Sequence, residues 1–301
     1  MIAQRTLDHS IRCSGIGLHS GRKIQLVLHP APENSGITFV RSDLGVEIPA
    51  RADCVTDTRL CTTIGKGKAN ISTVEHLLSA LAGLGVDNAR IEVSGPEVPI
   101  MDGSSAPFVF LIQCAGIREQ SQAKKVMRIL KRVEVQNGDK RCALYPASGF
   151  SVSYLLDYDH PLLRKRKVKI DFSRQAYTRE ISRARTFGFL HEVEALQKAG
   201  LALGGSLENA IVLDTHRVVN EGGLRYEDEC VRHKILDTLG DLSLSGFPIV
   251  GAFEGELTGH DMNHQLVMAL LADPSSYRIE ELQAEKDSSA VTAAASRVQT
   301  A

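Results

Sequence analysis

The residues best suited to act together chemically are a histidine and an aspartate four apart in Val231-Arg-His-Lys-Ile-Leu-Asp237, and the adjacent pair Glu75-His76. On a helix, His233 and Asp237 share one face with Cβ atoms about 5–6 Å apart, a spacing that lets both grip one metal ion. Glu75 and His76 diverge by about 100° around a helix axis, which sets them to different tasks: one ligates and the other acts. Two neutral imidazoles and one carboxylate leave a bound Zn²⁺ with net positive charge and an open fourth position, the arrangement of catalytic rather than structural zinc. Water in that position ionises near neutral pH. Each part alone is a weak signal, because a histidine on a mostly apolar helix is more often a hydrogen-bonded core residue. His260, in the Gly-bounded loop Thr-Gly-His, and Asp241, one turn beyond Asp237 on the same face, enlarge the set.

These side chains need elements to place them. Residues 73 to 84 are apolar at helical spacing, begin after a Ser/Thr pair and stop near Gly85, which predicts a helix carrying Glu75 and His76. A second helix at 229 to 244 carries His233, Asp237 and Asp241. Residues 3 to 50 read as short strands punctuated by Gly15, Gly17, Gly21 and Gly36, with alternation clearest in Lys23-Ile-Gln-Leu-Val-Leu-His29. A strand at 88 to 93, a Pro/Gly-rich turn at 95 to 103 and a helix near 105 to 115 follow, and the polar stretch Arg118 to Lys125 reads as a linker. Strands near 126 to 136, 140 to 145 and 150 to 157 and a helix near 174 to 183 then restart the pattern. Local matches support a diverged duplication: Arg5-Thr-Leu with Arg128-Ile-Leu, Leu28-His-Pro-Ala with Leu144-Tyr-Pro-Ala, and Glu75-His-Leu-Leu with Arg232-His-Lys-Ile. The two His-bearing helices would then occupy equivalent places.

At 301 residues the chain exceeds the usual size of a single core, so two domains are expected. The boundaries read as 1–120, carrying Glu75 and His76, and 125–273, carrying His233, Asp237 and His260. A tail at 274–301 ends in an Ala/Ser/Thr-rich run, 288 to 301, with no periodic apolar face, and is expected to be frayed. Lys plus Arg number 35 against 36 Asp plus Glu, so no global field draws in nucleic acid or membrane. Six scattered cysteines form no Cys-x-x-Cys pair, which fits reduced thiols in the cytosol. The N-terminus has no basic region followed by an apolar one, and no stretch approaches a spanning helix, so a cytoplasmic protein is expected.

Five segments together carry a more specific signal: Ser72-Thr-Val-Glu-His-Leu-Leu-Ser-Ala-Leu-Ala-Gly-Leu-Gly-Val-Asp-Asn88, Ala184-Arg-Thr-Phe-Gly-Phe189, Gly204-Gly-Ser-Leu-Glu-Asn-Ala210, Leu224-Arg-Tyr-Glu-Asp-Glu-Cys-Val-Arg-His-Lys-Ile-Leu-Asp-Thr-Leu-Gly-Asp241 and Thr258-Gly-His260. In this order they closely resemble the UDP-3-O-acyl-N-acetylglucosamine deacetylase family, which performs the committed step of lipid A synthesis in Gram-negative bacteria. The resemblance runs from about residue 3 to residue 272. It implies an α+β fold of two domains of similar topology, each an antiparallel sheet with helices, with the helix layers packed against each other and the metal between them. It further implies His76, His233 and Asp237 as ligands of Zn²⁺, with Fe²⁺ an alternative in the cell, and Glu75 as general base. His260 would be the charged histidine that assists the tetrahedral intermediate, oriented by Asp241. Thr186 and Lys234 would stand near the developing oxyanion and the substrate's phosphates. Segment 187 to 213 matches an insert that forms an apolar passage for the acyl chain, with Leu190, Val193, Ala202, Ser206 and Val212 as its candidate lining and Leu18, Phe187 and Phe189 as further substrate contacts. Without the resemblance this segment reads as an amphipathic helix and strand filling a core. Tyr158 is a candidate to stack on the uracil base.

The chemistry suits each residue type. Hydrolysing an acetamide requires a stronger nucleophile than water, which metal coordination and Glu75 supply together. Negative charge developing on oxygen is met by the metal and the Thr186 hydroxyl. The departing amine takes its proton from His260 or from Glu75, and the sequence leaves that choice open. Asp241 beside His260 favours the imidazolium.

The run Arg164-Lys-Arg-Lys-Val-Lys169 lies outside the family pattern. It reads as a solvated strand face or loop, with peripheral contact to an anionic inner membrane or an incidental nucleic-acid patch as the functional alternatives. His264 stands four residues after His260, and the Thr-Gly-His context favours His260. The expected partner is the acylated UDP-sugar, with no nucleic acid, and the chain is expected to be a monomer. The rival readings are a zinc amidase acting on a different N-acetylated sugar nucleotide and a non-catalytic binder of polyanions or lipid surfaces.

Overall fold

Strands whose alternate residues turn to one face are the first structure the chain lays down. In the computed structural model, which describes residues 2–282, these are β1 (Ala3–Leu7), β2 (Ile11–Ile16), β3 (Lys23–Pro30), β4 (Ile37–Arg41) and β5 (Val46–Pro49). In β3, Ile24, Leu26 and Leu28 are buried while Lys23 and Gln25 are exposed, the period-two pattern of a half-buried strand. A small sheet of β6 (Val55–Asp57), β7 (Thr63–Lys66) and β8 (Ala69–Ile71) follows. Then come helix α1 (Glu75–Leu84), β9 (Ala89–Val93), helix α2 (Ala106–Ala115) and β10 (Ile117–Ala123). Gly85 closes α1 in the left-handed conformation at φ 75°, with its N–H on the last carbonyls of the helix.

The second half comprises β11 (Lys125–Ile129), β12 (Val133–Asn137), β13 (Lys140–Tyr145), β14 (Phe150–Leu156) and β15 (Arg166–Asp171). After them come α3 (Arg174–Ala176), β16 (Phe187–Phe189), α4 (Leu190–Lys198), β17 (Ile211–Leu213), α5 (Glu229–Ser243), β18 (Ile249–Glu256), α6 (His260–Ala272) and β19 (Tyr277–Glu281).

The two halves repeat one topology. The first sheet runs β2-β3-β9-β4-β5, and the second contains β12-β13-β18-β14-β15 in the same sense. β9 runs antiparallel to β3 and parallel to β4, and β18 likewise runs antiparallel to β13 and parallel to β14, with β11 a further parallel partner at its start. The register agrees too, with Leu28 opposite Ile91 and Leu144 opposite Phe253. The antiparallel order expected from the sequence is thus interrupted in each sheet where the strand after α1 or α5 enters. A parallel neighbour needs a crossover connection, and these helices provide it. The fold class is α+β, with α2 against β2, α5 and α6 against the second sheet, and α1 packed directly on α5. Among the described residues no helix is long and apolar enough to cross a membrane.

The contact between α1 and α5 is a backbone contact. A Cβ built on Gly240 would stand 2.1 Å from the Glu75 carbonyl oxygen, so only glycine lets the helices approach this closely. Gly240→Ala is expected to destabilise the protein by about 1–3 kcal/mol through overpacking. Chemical denaturation would check it, and an unchanged midpoint would contradict this packing.

Several expectations change. The stretch read as a linker, Arg118 to Lys125, is mostly β10, paired antiparallel with β1 and leading into β11. Both its faces are largely exposed, so it carries no apolar alternation to read. The single strand expected at 126 to 136 is two strands, β11 and β12, and the helix expected at 174 to 183 is one α turn continued as a π-helical turn at Tyr177–Ile181. His260 lies in no loop but opens helix α6 after Gly259. The ordered chain continues past Asp273 into β19, which pairs with β11 at the edge of the second sheet. The run 288 to 301 lies outside the described residues.

Candidate metal centre and active site

His76 enters from the first turn of α1, while His233 and Asp237 enter one turn apart from α5. All three are buried. The Nε2 atoms of His76 and His233 lie 3.5 and 3.2 Å from Asp237 Oδ1, and one donor atom from each residue falls within 4.8 Å of the others. The imidazole rings stand edge to face, 4.9 Å apart.

The protonation pattern suits a cation. His233 Nδ1 lies 3.0 Å from the Ala184 carbonyl, which only accepts, so Nδ1 carries the proton and Nε2 presents a lone pair to the centre. Burial pushes the His233 imidazole down to about 3, so it is neutral. Burial acts to raise the Asp237 carboxyl, but the neighbouring imidazoles and the Lys234 ammonium hold it well below its ordinary range. Asp237 Oδ2 accepts from Lys234 Nζ at 3.1 Å, whereas the buried Oδ1 has no donor. An anionic oxygen facing the lone pair of His233 is the arrangement that a divalent cation between the three groups would satisfy. The donor set therefore fits a metal ion.

Beside this cluster lies an acid–base pair. Glu75 Oε2 accepts from the Thr62 N–H at 3.0 Å, and Oε1 stands 4.0 Å from His260 Nε2. Burial raises the Glu75 carboxyl despite the opposing pull of His260 and His76, which makes it a better proton acceptor. His260 Nδ1 lies 2.9 Å from Asp241 Oδ2, which also takes the Asn263 amide at 2.9 Å, while Asp241 Oδ1 accepts from the Thr62 hydroxyl at 2.6 Å. Burial pulls the His260 imidazole down, but Asp241 and then Glu75 outweigh it and lift it to about 9, so it is an imidazolium at neutral pH. Thr62 and Asn263 went unnoticed in the sequence. Asn263 is one helical turn past His260, a spacing that could have flagged it. Thr62 sits 179 positions from Asp241 and gave no signal.

Because the folded value lies above the ordinary 6.5, the stabilisation from protonated His260 is fully present below that pH and is lost as pH rises through about 9. In denaturant titrations of metal-free protein from pH 6.5 to 10, the parent should lose on the order of 2–3 kcal/mol more than His260→Gln. Parallel curves would contradict the imidazolium assignment.

Thr186 is half-buried, its N–H on the Gly103 carbonyl and its own carbonyl taking the Ile211 N–H, both at 2.8 Å. Lys234 Nζ lies 5.6 Å from the Phe187 ring centroid, and the Phe187 ring is 6.4 Å from that of His233. Tyr158 packs 6.2 Å from Phe187 and 5.6 Å from Phe189 and stays 41% exposed, so an aromatic wall leads from the histidine outward.

The segment after Thr186 forms the parallel pair β16–β17, and α4 follows directly from β16 with no buried residue. Leu190 and Ser206 are exposed, while Val193, Ala202 and Val212 are half-buried. Its loop reaches the first half of the chain, where the Gly204 N–H meets the Leu18 carbonyl at 2.9 Å. A Cβ on Gly204 would stand 2.3 Å from the Gly17 carbonyl. Glu97 holds the turn beneath, accepting the N–H groups of His19 and Ser20. The basic run lies apart on the edge strand β15 and just before it. Arg164 pairs with Asp159 and Arg166 with Glu227, while Lys165, Lys167 and Lys169 are exposed. His264 lies one helical turn past His260, its Nδ1 buried without a partner.

The family model described as UDP-3-O-acyl N-acetylglycosamine deacetylase matches residues 4–272. A UDP-3-O-acyl-N-acetylglucosamine deacetylase of Acidithiobacillus ferrooxidans is 56% identical over 275 residues, covering 90% of each chain. Another with the same name, of Teredinibacter turnerae, is 52% identical over 290 residues, covering 95% of this chain and 96% of its own. The family match and the named relatives define the class: a deacetylase, a hydrolase acting on an amide. The chain belongs to the UDP-3-O-acyl N-acetylglycosamine deacetylase family.

Proposed function

We propose that this enzyme removes the N-acetyl group of UDP-3-O-(3-hydroxyacyl)-N-acetylglucosamine as acetate, the committed step of lipid A synthesis in the cytoplasm of a Gram-negative bacterium. The observation that carries the reading is the buried, donor-free Oδ1 of Asp237 facing two imidazoles beside the Glu75 and His260 pair. His76, His233 and Asp237 would hold Zn²⁺, with Fe²⁺ as the alternative ion in the cell. Such an ion supplies Lewis acidity, which makes water more acidic and polarises the acetamide carbonyl.

The remaining work falls to the chain's own groups. Glu75 takes a proton from the attacking water. The Thr186 hydroxyl donates to the oxygen that gains charge, and the His260 imidazolium, held by Asp241, offsets that charge. As the carbon–nitrogen bond breaks, the amine receives a proton from the His260–Glu75 pair. Lys234 faces the phosphates, Tyr158 is offered to the uracil, and the acyl chain lies along Leu18, Phe187, Phe189, Leu190, Val193, Ala202, Ser206 and Val212.

Bound metal per chain and acetate release from acylated and unacylated UDP-sugar would test this together. A single bound ion and release confined to the acylated substrate support it. Equal rates on both substrates would point to a different N-acetylated sugar nucleotide, and no ion with no release would overturn the reading.

A further inference from the structure

We infer that Glu229 is a positioning residue that sets the direction of both His233 and Thr186. This rests on the metal reading above and adds a residue to it.

Glu229 occupies the first turn of α5, one turn before His233 and two before Asp237, and is completely buried. Its carboxylate is fully engaged. Oε1 accepts the Arg185 backbone N–H at 3.0 Å and Arg185 Nε at 2.9 Å, while Oε2 accepts Arg185 Nη2 at 3.1 Å and the Arg225 N–H at 2.5 Å. The segment so gripped is flanked by the two groups that matter. The Ala184 carbonyl, on the peptide whose N–H Glu229 holds, fixes the proton of His233 on Nδ1. Thr186 follows directly, its N–H held by Gly103 of the first half. Residues 184, 185 and 186 are therefore pinned in turn by His233, Glu229 and Gly103.

A buried ion pair of this kind contributes little net stability relative to apolar residues of similar volume. What Glu229 and Arg185 supply is direction. Four donors converge on one carboxylate, and the peptide between Ala184 and Arg185 can take one orientation. Without that grip the Ala184 carbonyl turns away, His233 loses its tautomer preference, and the Thr186 hydroxyl shifts with the chain. Groups that orient a metal-ligating histidine in this way typically change metal affinity by about 10–100-fold when removed.

The test is Glu229→Gln in the full chain, beside the parent and a control, Asp87→Asn. That control disturbs a partly buried pair with Lys124 away from the site. In metal-free protein, ¹⁵N-histidine spectra should show His233 as the Nδ1–H tautomer in the parent and the control and as a mixture in Glu229→Gln. Zinc affinity by chelator competition should fall about tenfold or more in Glu229→Gln and stay unchanged in Asp87→Asn. The loss of turnover should appear in kcat rather than KM. A folded Glu229→Gln with the parent's tautomer and affinity overturns the inference while leaving the metal reading intact, whereas a parent that binds no ion defeats the metal reading itself. If Glu229→Gln does not fold, Arg185→Lys replaces the two-pronged grip with a single point. It is expected to lower affinity several-fold, and parent-like affinity there overturns the inference equally.

Discussion

Asp237→Ala is expected to yield a folded protein without a bound ion and with kcat/KM for acetate release lowered by about a thousandfold or more, the scale of several kcal/mol of Lewis-acid stabilisation. Asp237 Oδ1 is the point on which both imidazoles converge, at 3.5 and 3.2 Å, and it is the anionic member of the set. Its removal leaves only two imidazole nitrogens, too few to hold a divalent ion against water. The fold should survive, because the oxygen that faces the imidazoles has no hydrogen-bond donor to lose. Lys234 loses its partner, but it lies at the edge of the site with 18% of its side chain exposed and can turn to solvent. Elemental analysis, circular dichroism and acetate release on the same preparation would decide the matter. A folded Asp237→Ala that still carries a full complement of ion and hydrolyses substrate would end the three-ligand assignment.

Glu75→Gln separates proton transfer from metal binding. The amide is nearly the same shape and its oxygen can still accept the Thr62 N–H, but it cannot take a proton from water. The ion should remain and KM should change little, while kcat falls by about 10²–10⁴-fold, the usual contribution of a positioned general base. The pH profile carries a second signature. In the parent, activity should rise as the Glu75 carboxyl ionises, at a pH above its ordinary 4.5 because of burial, and fall as His260 loses its proton near 9. Glu75→Gln should lose the acid limb and keep the alkaline one. Loss of the ion together with activity would instead make Glu75 a ligand.

Helices α1 and α5 were legible because their apolar positions recur at 3.6-residue spacing and Gly85 marks the end of α1. The central strands were legible because one face is buried. β10 was not, since a ribbon exposed on both faces leaves no periodic trace. Local pattern also placed the chemistry of His233 and Asp237 together, since both lie on one helix. Which of Glu75 and His76 ligates is a question of how α1 crosses α5, and the spacing in the sequence does not contain that angle. Thr62 shows the limit most clearly. It joins Glu75 to Asp241 through its N–H and its hydroxyl, yet nothing near it in the chain distinguishes it from Thr63.

The repeated topology bears on how such a site can arise. Aligning α1 and α5 on their histidines sets Ala80 against Asp237 and Leu84 against Asp241, while Gly83 meets Gly240. A pair of identical subunits must place every substitution twice, so a carboxylate gained on one side of the twofold axis appears on the other as well. Two such copies in one chain are free of that rule. One helix can keep its histidine beside alanine while the other adds two aspartates, giving a single lopsided centre where an ancestor of equal halves would have had mirrored ones. Neither half on its own holds all three candidate ligands, His76 lying in the first and His233 and Asp237 in the second, so the cluster forms only where α1 meets α5.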